Sequence, residues 1–331
     1  MSSGNRILQY SLAINEALHQ IMAADKSVFL IGQGVKSPWY VGNTTGGLLK
    51  KYGASRIIDT PVSENAVTGT AVGAAIAGMR SVVVHPRIDF MVYAFDPVIN
   101  EAANYHYMFG GRVCVPVVIW GIVNRGGEQA AQHSQSLHAL FAHIPGLKVV
   151  MPSTPYDAKG LMIAAIKDNN PVLFIDDRWL YGIKGNVPRD MYTVPIGRAV
   201  IRKKGRDVTL ISVSYMAEVS RQAALMLVKQ GISVELIDLR TVKPLDKEMV
   251  LRSLKKTGRL IIADGGWKTC GMAAEISASI SEEGFRYLKV PIKRITLPDI
   301  PAPASSVLEK AYYPSIGDIV SAAKKMMQKS A

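Results

Sequence analysis

Cysteine is nearly absent from this chain. Only Cys114 and Cys270 occur among 331 residues, which excludes a disulfide framework and implies a reducing compartment. Aromatic residues make up only 7%, and no apolar run reaches the roughly 18 residues needed to span a bilayer. The opening MSSGNRILQY lacks the long apolar stretch of a secretory signal, so a cytoplasmic protein without a membrane segment is expected. Several catalytic signatures are also missing. There is no P-loop lysine pattern and no G-x-S-x-G nucleophile elbow. The run IGQG (Ile31 to Gly34) begins like a dinucleotide loop but lacks the third glycine. His133, His138 and His143 share one stretch, with no cysteine or glutamate at a spacing that completes a zinc site.

Charge of one sign is scarce in the second half. Residues 1–185 carry 15 Lys+Arg against 12 Asp+Glu, whereas residues 186–331 carry 24 against 14, which accounts for +10 of the net +13. The excess sits in short clusters such as RKKGR (Arg202 to Arg206), Lys255-Lys256 and Lys324-Lys325. These read as solvated helix ends and turns, and no basic stripe is interleaved with aromatics, so nucleic acid is not expected as a partner. An acidic protein surface is a better match.

Apolar runs bounded by turn residues alternate with helical patterns along the chain. Strands are expected at Val28–Ile31, Arg56–Ile58, Ser81–Val84, Val115–Ile119, Lys148–Val150 and Val172–Ile175, with helices near 10–24, 64–78, 91–108 and 155–167. Continuously apolar strands alternating with helices indicate a parallel sheet covered on both faces. After YGIKGNVPRD, rich in glycine, proline and charge, a second series is expected at Val208–Val213, Val234–Leu236, Leu260–Ala263 and Ile292–Thr296. The fold class is therefore α/β, with two parallel-sheet domains: residues 1–185, a linker at 186–204, and residues 205–331.

Two short runs carry most of the chemistry. DTPVSE (Asp59 to Glu64) ends a strand and places Glu64 in the first turn of a helix, with Ser63 in position to cap it. A capping glutamate is the plain reading. Its small, apolar neighbours also suit a partly desolvated carboxyl that exchanges a proton with a weakly basic nitrogen. AAQHSQ (130–135) puts His133 on a loop after another apolar run. A carboxylate and an imidazole at successive strand ends of one sheet are in position to share a cleft. Gly69, Gly73 and Ala77 form one bare face of the helix after Glu64, either for close packing within the domain or for contact with another subunit.

In order along the chain, DTPVSENAVTGTAVGAAIAGMR, DPVINEAANYHYMFGG, AAQHSQSLHALFAHIPGLKVVMPSTPYDAKGL, DNNPVLFIDDRWLYG, IDLRTVKPLD, ADGGWKTCGMAAEI and LPDIPAPASSVLE resemble the beta subunit of the thiamine-diphosphate-dependent 2-oxo acid dehydrogenases, the decarboxylase component of those complexes (pyruvate, branched-chain 2-oxo acid or acetoin type). The resemblance covers nearly the whole chain. It implies a transketolase-type pyrimidine-binding domain followed by a transketolase C-terminal domain. Glu64 would serve the N1′ nitrogen of the thiamine aminopyrimidine and Phe90 would stack on that ring. His133 would handle substrate or acyl transfer to lipoamide. Asp168 and Asn170 match positions near a structural potassium site. The magnesium-diphosphate motif of the superfamily, GDG followed by an asparagine pair, is missing: ADGG (Ala263 to Gly266) has no such pair behind it, and Asn169-Asn170 has no GDG before it. Half of the cofactor site, with its magnesium, would therefore come from an alpha subunit in an α2β2 heterotetramer, and a lipoyl acyltransferase would be the downstream partner.

Three departures from the family pattern bear on substrate and partner. HPRIDF (His85 to Phe90) brings His85 and Arg87 toward the cofactor, Trp120 stands where an arginine is common, and the chain ends in the basic AAKKMMQKSA. These leave two other readings in play: a two-subunit carboligase with a non-lipoyl acceptor, and a non-catalytic assembly subunit.

Overall fold

The computed structural model describes residues 6–37 and 40–328. The chain forms two compact units. One comprises residues 1–125 with 140–196, the other residues 126–139 with 197–331. The stretch at 186–204 contains the end of a strand, Lys184–Val187, and a second strand, Val200–Lys203.

In the first unit six strands pair in parallel in the order Lys148–Val150, Val172–Asp177, Val117–Val123, Arg80–His85, Val28–Gly32, Ile57–Asp59. The central runs VFLIG, VVIWGIV and VLFIDD are buried at every position, as expected of strands with helices on both faces. Tyr10–Ala24 packs on Pro155–Lys167, and Glu64–Ile76 packs against Arg80–His85. Pro155–Lys167 starts where Thr154 accepts a hydrogen bond from the Asp157 N–H at 3.2 Å, with proline in the first turn. A feature not legible in the pattern is an antiparallel pair joining Arg6–Gln9 to Lys184–Val187.

One expected helix is composite. The segment read as a helix over 91–108 is a 3₁₀ turn at Phe90–Ala94, a π-helical stretch at Asp96–Ala102 and a short α-helix at Ala103–Met108. Pro97 lies in the first turn of the π-helical stretch and has no N–H for the ladder.

The second unit holds a five-stranded sheet in the order Lys293–Leu297, Leu260–Trp267, Val208–Ser212, Val234–Asp238, Val200–Lys203. Its first four strands are parallel and the last is antiparallel. Leu210, Leu236, Ile261 and Ala223 form its core with Ile319 and Ala323 of the C-terminal helix Ile316–Gln328. No helix among the described residues is long and apolar enough to cross a membrane.

Lys159 shows how the first unit secures its last turns. Its side chain is fully buried, and Nζ donates to Glu16 Oε1 at 2.7 Å, Pro188 O at 2.7 Å and Asp190 O at 2.8 Å. Burial lowers the lysine's pKa while Glu16 opposes that shift. Replacement by methionine keeps the apolar stem but removes the donor shared by Glu16 and two partly exposed main-chain carbonyls, while Glu16 keeps Arg6. Lys159→Met is expected to cost about 1–2 kcal/mol in urea unfolding.

Candidate active site

Glu64 and Phe90 lie in the wall of one cavity of about 390 Å³ in the first unit, together with Gln33, Tyr40, His85 and Arg87. Three adjacent strands end here. Gln33 follows Val28–Gly32, Thr60 follows Ile57–Asp59, and His85 closes Arg80–His85. This is where open parallel sheets bind ligands, at the carboxyl ends of their strands.

Two strand ends come unusually close. A Cβ on Gly32 would lie 2.4 Å from Val84 O, and its φ of +151° is one that side chains rarely adopt. The next turn is fixed by Asp59, whose Oδ1 accepts from Gly34 N at 2.7 Å. Glu64 opens the helix Glu64–Ile76, where a carboxylate is favoured by the unsatisfied N–H groups. Ser63 occupies the cap position but its hydroxyl makes no capping bond; the helix starts on the main-chain bond from Val67 N to Ser63 O at 2.9 Å.

His85 is part of this wall but is shielded from bulk solvent. It is 3% exposed, and its Nε2 lies 3.1 Å from Thr68 Oγ1. Thr68 is one turn beyond Glu64 on the same helix. Burial pushes the imidazole pKa down to about 4, so the ring is neutral at physiological pH. Arg87 is half-buried, and Nη1 donates to Pro86 O at 2.9 Å. Trp120, expected near substrate entry, is instead fully buried and meets Phe174 edge-on at 6.2 Å between ring centres.

His133 belongs to the second unit and ends the 3₁₀ turn Ala131–His133. Its loop is tied down inside that unit. Glu128 N donates to Glu309 Oε1 at 3.0 Å, and Ser306 N donates to Glu128 Oε1 at 3.2 Å. Five residues beyond His133, a buried relay is formed: Ser136 Oγ lies 3.1 Å from His138 Nδ1, and His138 Nε2 lies 3.0 Å from Asp264 Oδ1. Gly266 leaves the room for it, since a Cβ there would sit 3.0 Å from His138 Cε1. Burial raises the Asp264 pKa, but His138 and main-chain N–H donors outweigh it and hold the carboxyl below its usual range. Sequence reasoning missed this pair; the available signal was a second histidine in the loop and the DGG run (Asp264 to Gly266) inside the strand Leu260–Trp267.

The candidate potassium residues lie elsewhere in the first unit. Lys148 Nζ pairs with Asp168 Oδ2, Asp168 Oδ1 accepts from Asn170 N at 2.9 Å, and Asp168 O accepts from Arg80 Nη1 at 3.0 Å. Asn170 Oδ1 is buried without a hydrogen-bond partner. A potassium ion would have to share these oxygens with Arg80 and Lys148. No cluster of three or more His, Cys, Asp or Glu suited to a metal occurs among the described residues.

This fold and cavity define a transketolase-type two-domain protein. Residues 7–184 match the transketolase pyrimidine-binding domain family, and residues 197–319 match the transketolase C-terminal domain family. A solved structure described as a split-gene transketolase, an inactive beta4 tetramer, shares the fold at a TM-score of 0.80 and 21% identity, covering 98% of this chain and 99% of that one. The acetoin:2,6-dichlorophenolindophenol oxidoreductase subunit beta of Cupriavidus necator is 46% identical over 98% of each chain. The pyruvate dehydrogenase E1 component subunit beta of Rickettsia felis is 41% identical over 95% of this chain and 96% of its own. The chain belongs to this family of dehydrogenase beta subunits.

The buried imidazole gives a pH signature. His85 binds its proton near pH 6.5 when unfolded and near pH 4 when folded. Its contribution is therefore fully present above pH 6.5 and lost as pH falls toward 4, by about 3 kcal/mol. Unfolding free energy measured from pH 7 to pH 4 is expected to fall less steeply in His85→Gln than in the parent chain, because the amide has no proton to take up.

Proposed function

We propose that this chain is the beta subunit of a two-subunit, thiamine-diphosphate-dependent 2-oxo acid dehydrogenase decarboxylase, and that it supplies the half-site for the cofactor's aminopyrimidine. The observation that carries the reading is the shared cavity of Glu64 and Phe90 inside a pyrimidine-binding domain. Its volume and partly apolar wall fit a flat heteroaromatic ring, and its only carboxylate side chain among the lining residues is Glu64. When bound, thiamine diphosphate supplies the electron sink for decarboxylation.

The chain's own residues do three things in this scheme. Glu64 holds or passes a proton at the ring nitrogen, with its position set by the first turn of Glu64–Ile76. Phe90 packs against the ring face. Neutral His85, bonded to Thr68, keeps the helix in register with the strand end without adding charge beside Glu64. His133 handles substrate or the acyl transfer to lipoamide. The diphosphate and its magnesium fall to an alpha subunit in an α2β2 heterotetramer, in the cytoplasm, and a lipoyl acyltransferase takes the acyl group. Potassium at Asp168 and Asn170 belongs to this scheme only as a structural ion, competing with Arg80.

The bare face of Glu64–Ile76 supports assembly with another subunit. A Cβ at Gly69 or Gly73 meets nothing within 4 Å in this chain, so close packing inside the domain does not explain these glycines. Gly73→Leu is expected to leave the isolated chain folded but to reduce co-purification with the alpha subunit, read by light scattering.

The central test is turnover of a panel of 2-oxo acids by the co-purified alpha/beta pair, with and without thiamine diphosphate. Glu64→Gln is expected to lower kcat by at least about a hundredfold with an unchanged assembly mass. Full activity in that variant would overturn the reading.

A further inference from the structure

One side of the cavity carries positive charge that the reading above does not use. Arg87 lines it, and its Nε is buried without a hydrogen-bond partner. Arg178 stands close by; one of its terminal nitrogens donates to the main-chain oxygen of Tyr40, whose side chain also lines the cavity and accepts from Gln33 Nε2 at 2.7 Å. The Arg178 Nε is likewise buried without a partner. Neither guanidinium forms an ion pair among the described residues. Burial first, and Arg178 second, lower the Arg87 pKa, while Tyr40, Asp89 and Tyr181 oppose this. The acid facing Arg178, Asp176, is buried and pushed up to about 7, with its Oδ2 accepting from Tyr181 OH at 2.9 Å. Near neutral pH it is a weak counter-charge.

Two guanidiniums held close together, each with a buried and unused N–H, are costly unless something anionic completes them. A planar fork at a cavity wall suits a carboxylate in particular. We propose that Arg87, backed by Arg178, binds a carboxylate of the substrate that enters this cavity. The assignment rests on the cavity being the reaction site of a 2-oxo acid enzyme. Two carboxylates are available to such a site: the one on the reacting carbon chain of every 2-oxo acid, and a second at the far end of a dicarboxylic one.

Binding and turnover separate these cases. Malonate, a non-reacting dicarboxylate, is titrated calorimetrically into the full chain and into Arg87→Met, Arg87→Lys and Arg178→Met. The expected result is measurable binding that weakens about ten- to a hundredfold in Arg87→Met, is partly restored in Arg87→Lys, and persists in Glu64→Gln. Absent binding, or binding indifferent to all three arginine variants, overturns the proposal. The alpha/beta pair is then assayed on pyruvate and on 2-oxoglutarate. An equal loss of kcat/KM on both in Arg87→Met assigns the carboxylate common to both, a loss on 2-oxoglutarate alone assigns the distal one, and no loss on either overturns the proposal. A pair that turns over no 2-oxo acid would sink the functional reading, while malonate binding would still decide whether Arg87 holds a carboxylate.

Discussion

The cavity depends on one close approach, between Gly32 and Val84 O. Paired strands ordinarily run side by side with room for side chains on both faces. Here the last residue of Val28–Gly32 lies where a Cβ would be 2.4 Å from the neighbouring carbonyl. With no side chain to fend off that strand, the chain turns at once, and Gln33 and His85 arrive side by side in the cavity wall. The hydrogen bond from Gly34 N to Asp59 then ties in the third strand end. From there the chain runs through Thr60 to Glu64, so the cavity's carboxyl inherits its position from a glycine more than thirty residues earlier.

Charge in the cavity is sorted by burial. His85 is neutral because no water reaches it, and its bond to Thr68 anchors the helix that carries Glu64 without placing a cation against that carboxyl. The cations are Arg87, in the same wall, and Arg178, and both residues are only partly buried. In the proposed scheme, a carboxyl that exchanges a proton and an arginine that holds a fixed charge serve best when they do not neutralise each other. No ion pair joins them, and each is free to meet a different part of a bound molecule.

The strands and most helices were legible because a parallel sheet buried on both faces writes itself as uninterrupted apolar runs; Lys148–Val150 and the helices at 10–24 and 155–167 match the expected bounds residue for residue. The family resemblance names both Glu64 and Phe90, and one cavity is lined by both. The composite helix after Phe90 was not, since its apolar spacing reads the same in 3₁₀, α and π form and only the hydrogen bonds distinguish them. The Arg6–Gln9 to Lys184–Val187 pair was hidden for another reason: KGNV is polar and glycine-bearing, and its partner lies at the far end of the unit. The His138–Asp264 relay joins residues more than a hundred positions apart, a proximity that single-sequence spacing does not carry.

The strand that delivers His85 is held at its start as well as at the cavity. Arg80 opens Arg80–His85, and its guanidinium donates to Ile166 O and Asp168 O at 3.0 Å each and to Asn169 Oδ1 at 2.7 Å. Lys148 closes on Asp168 from the third strand along, Lys148–Val150. These oxygens are the kind that a structural cation gathers, and here the chain brings its own. These cations are covalently part of the strands that they tie together. Five residues later the same strand, buried from Ser81 onward, ends at His85 in the wall of the cavity that Glu64 also lines. Preorganisation at the cavity is in this way a property of the whole strand, secured by a guanidinium at one end and a missing side chain beside the other.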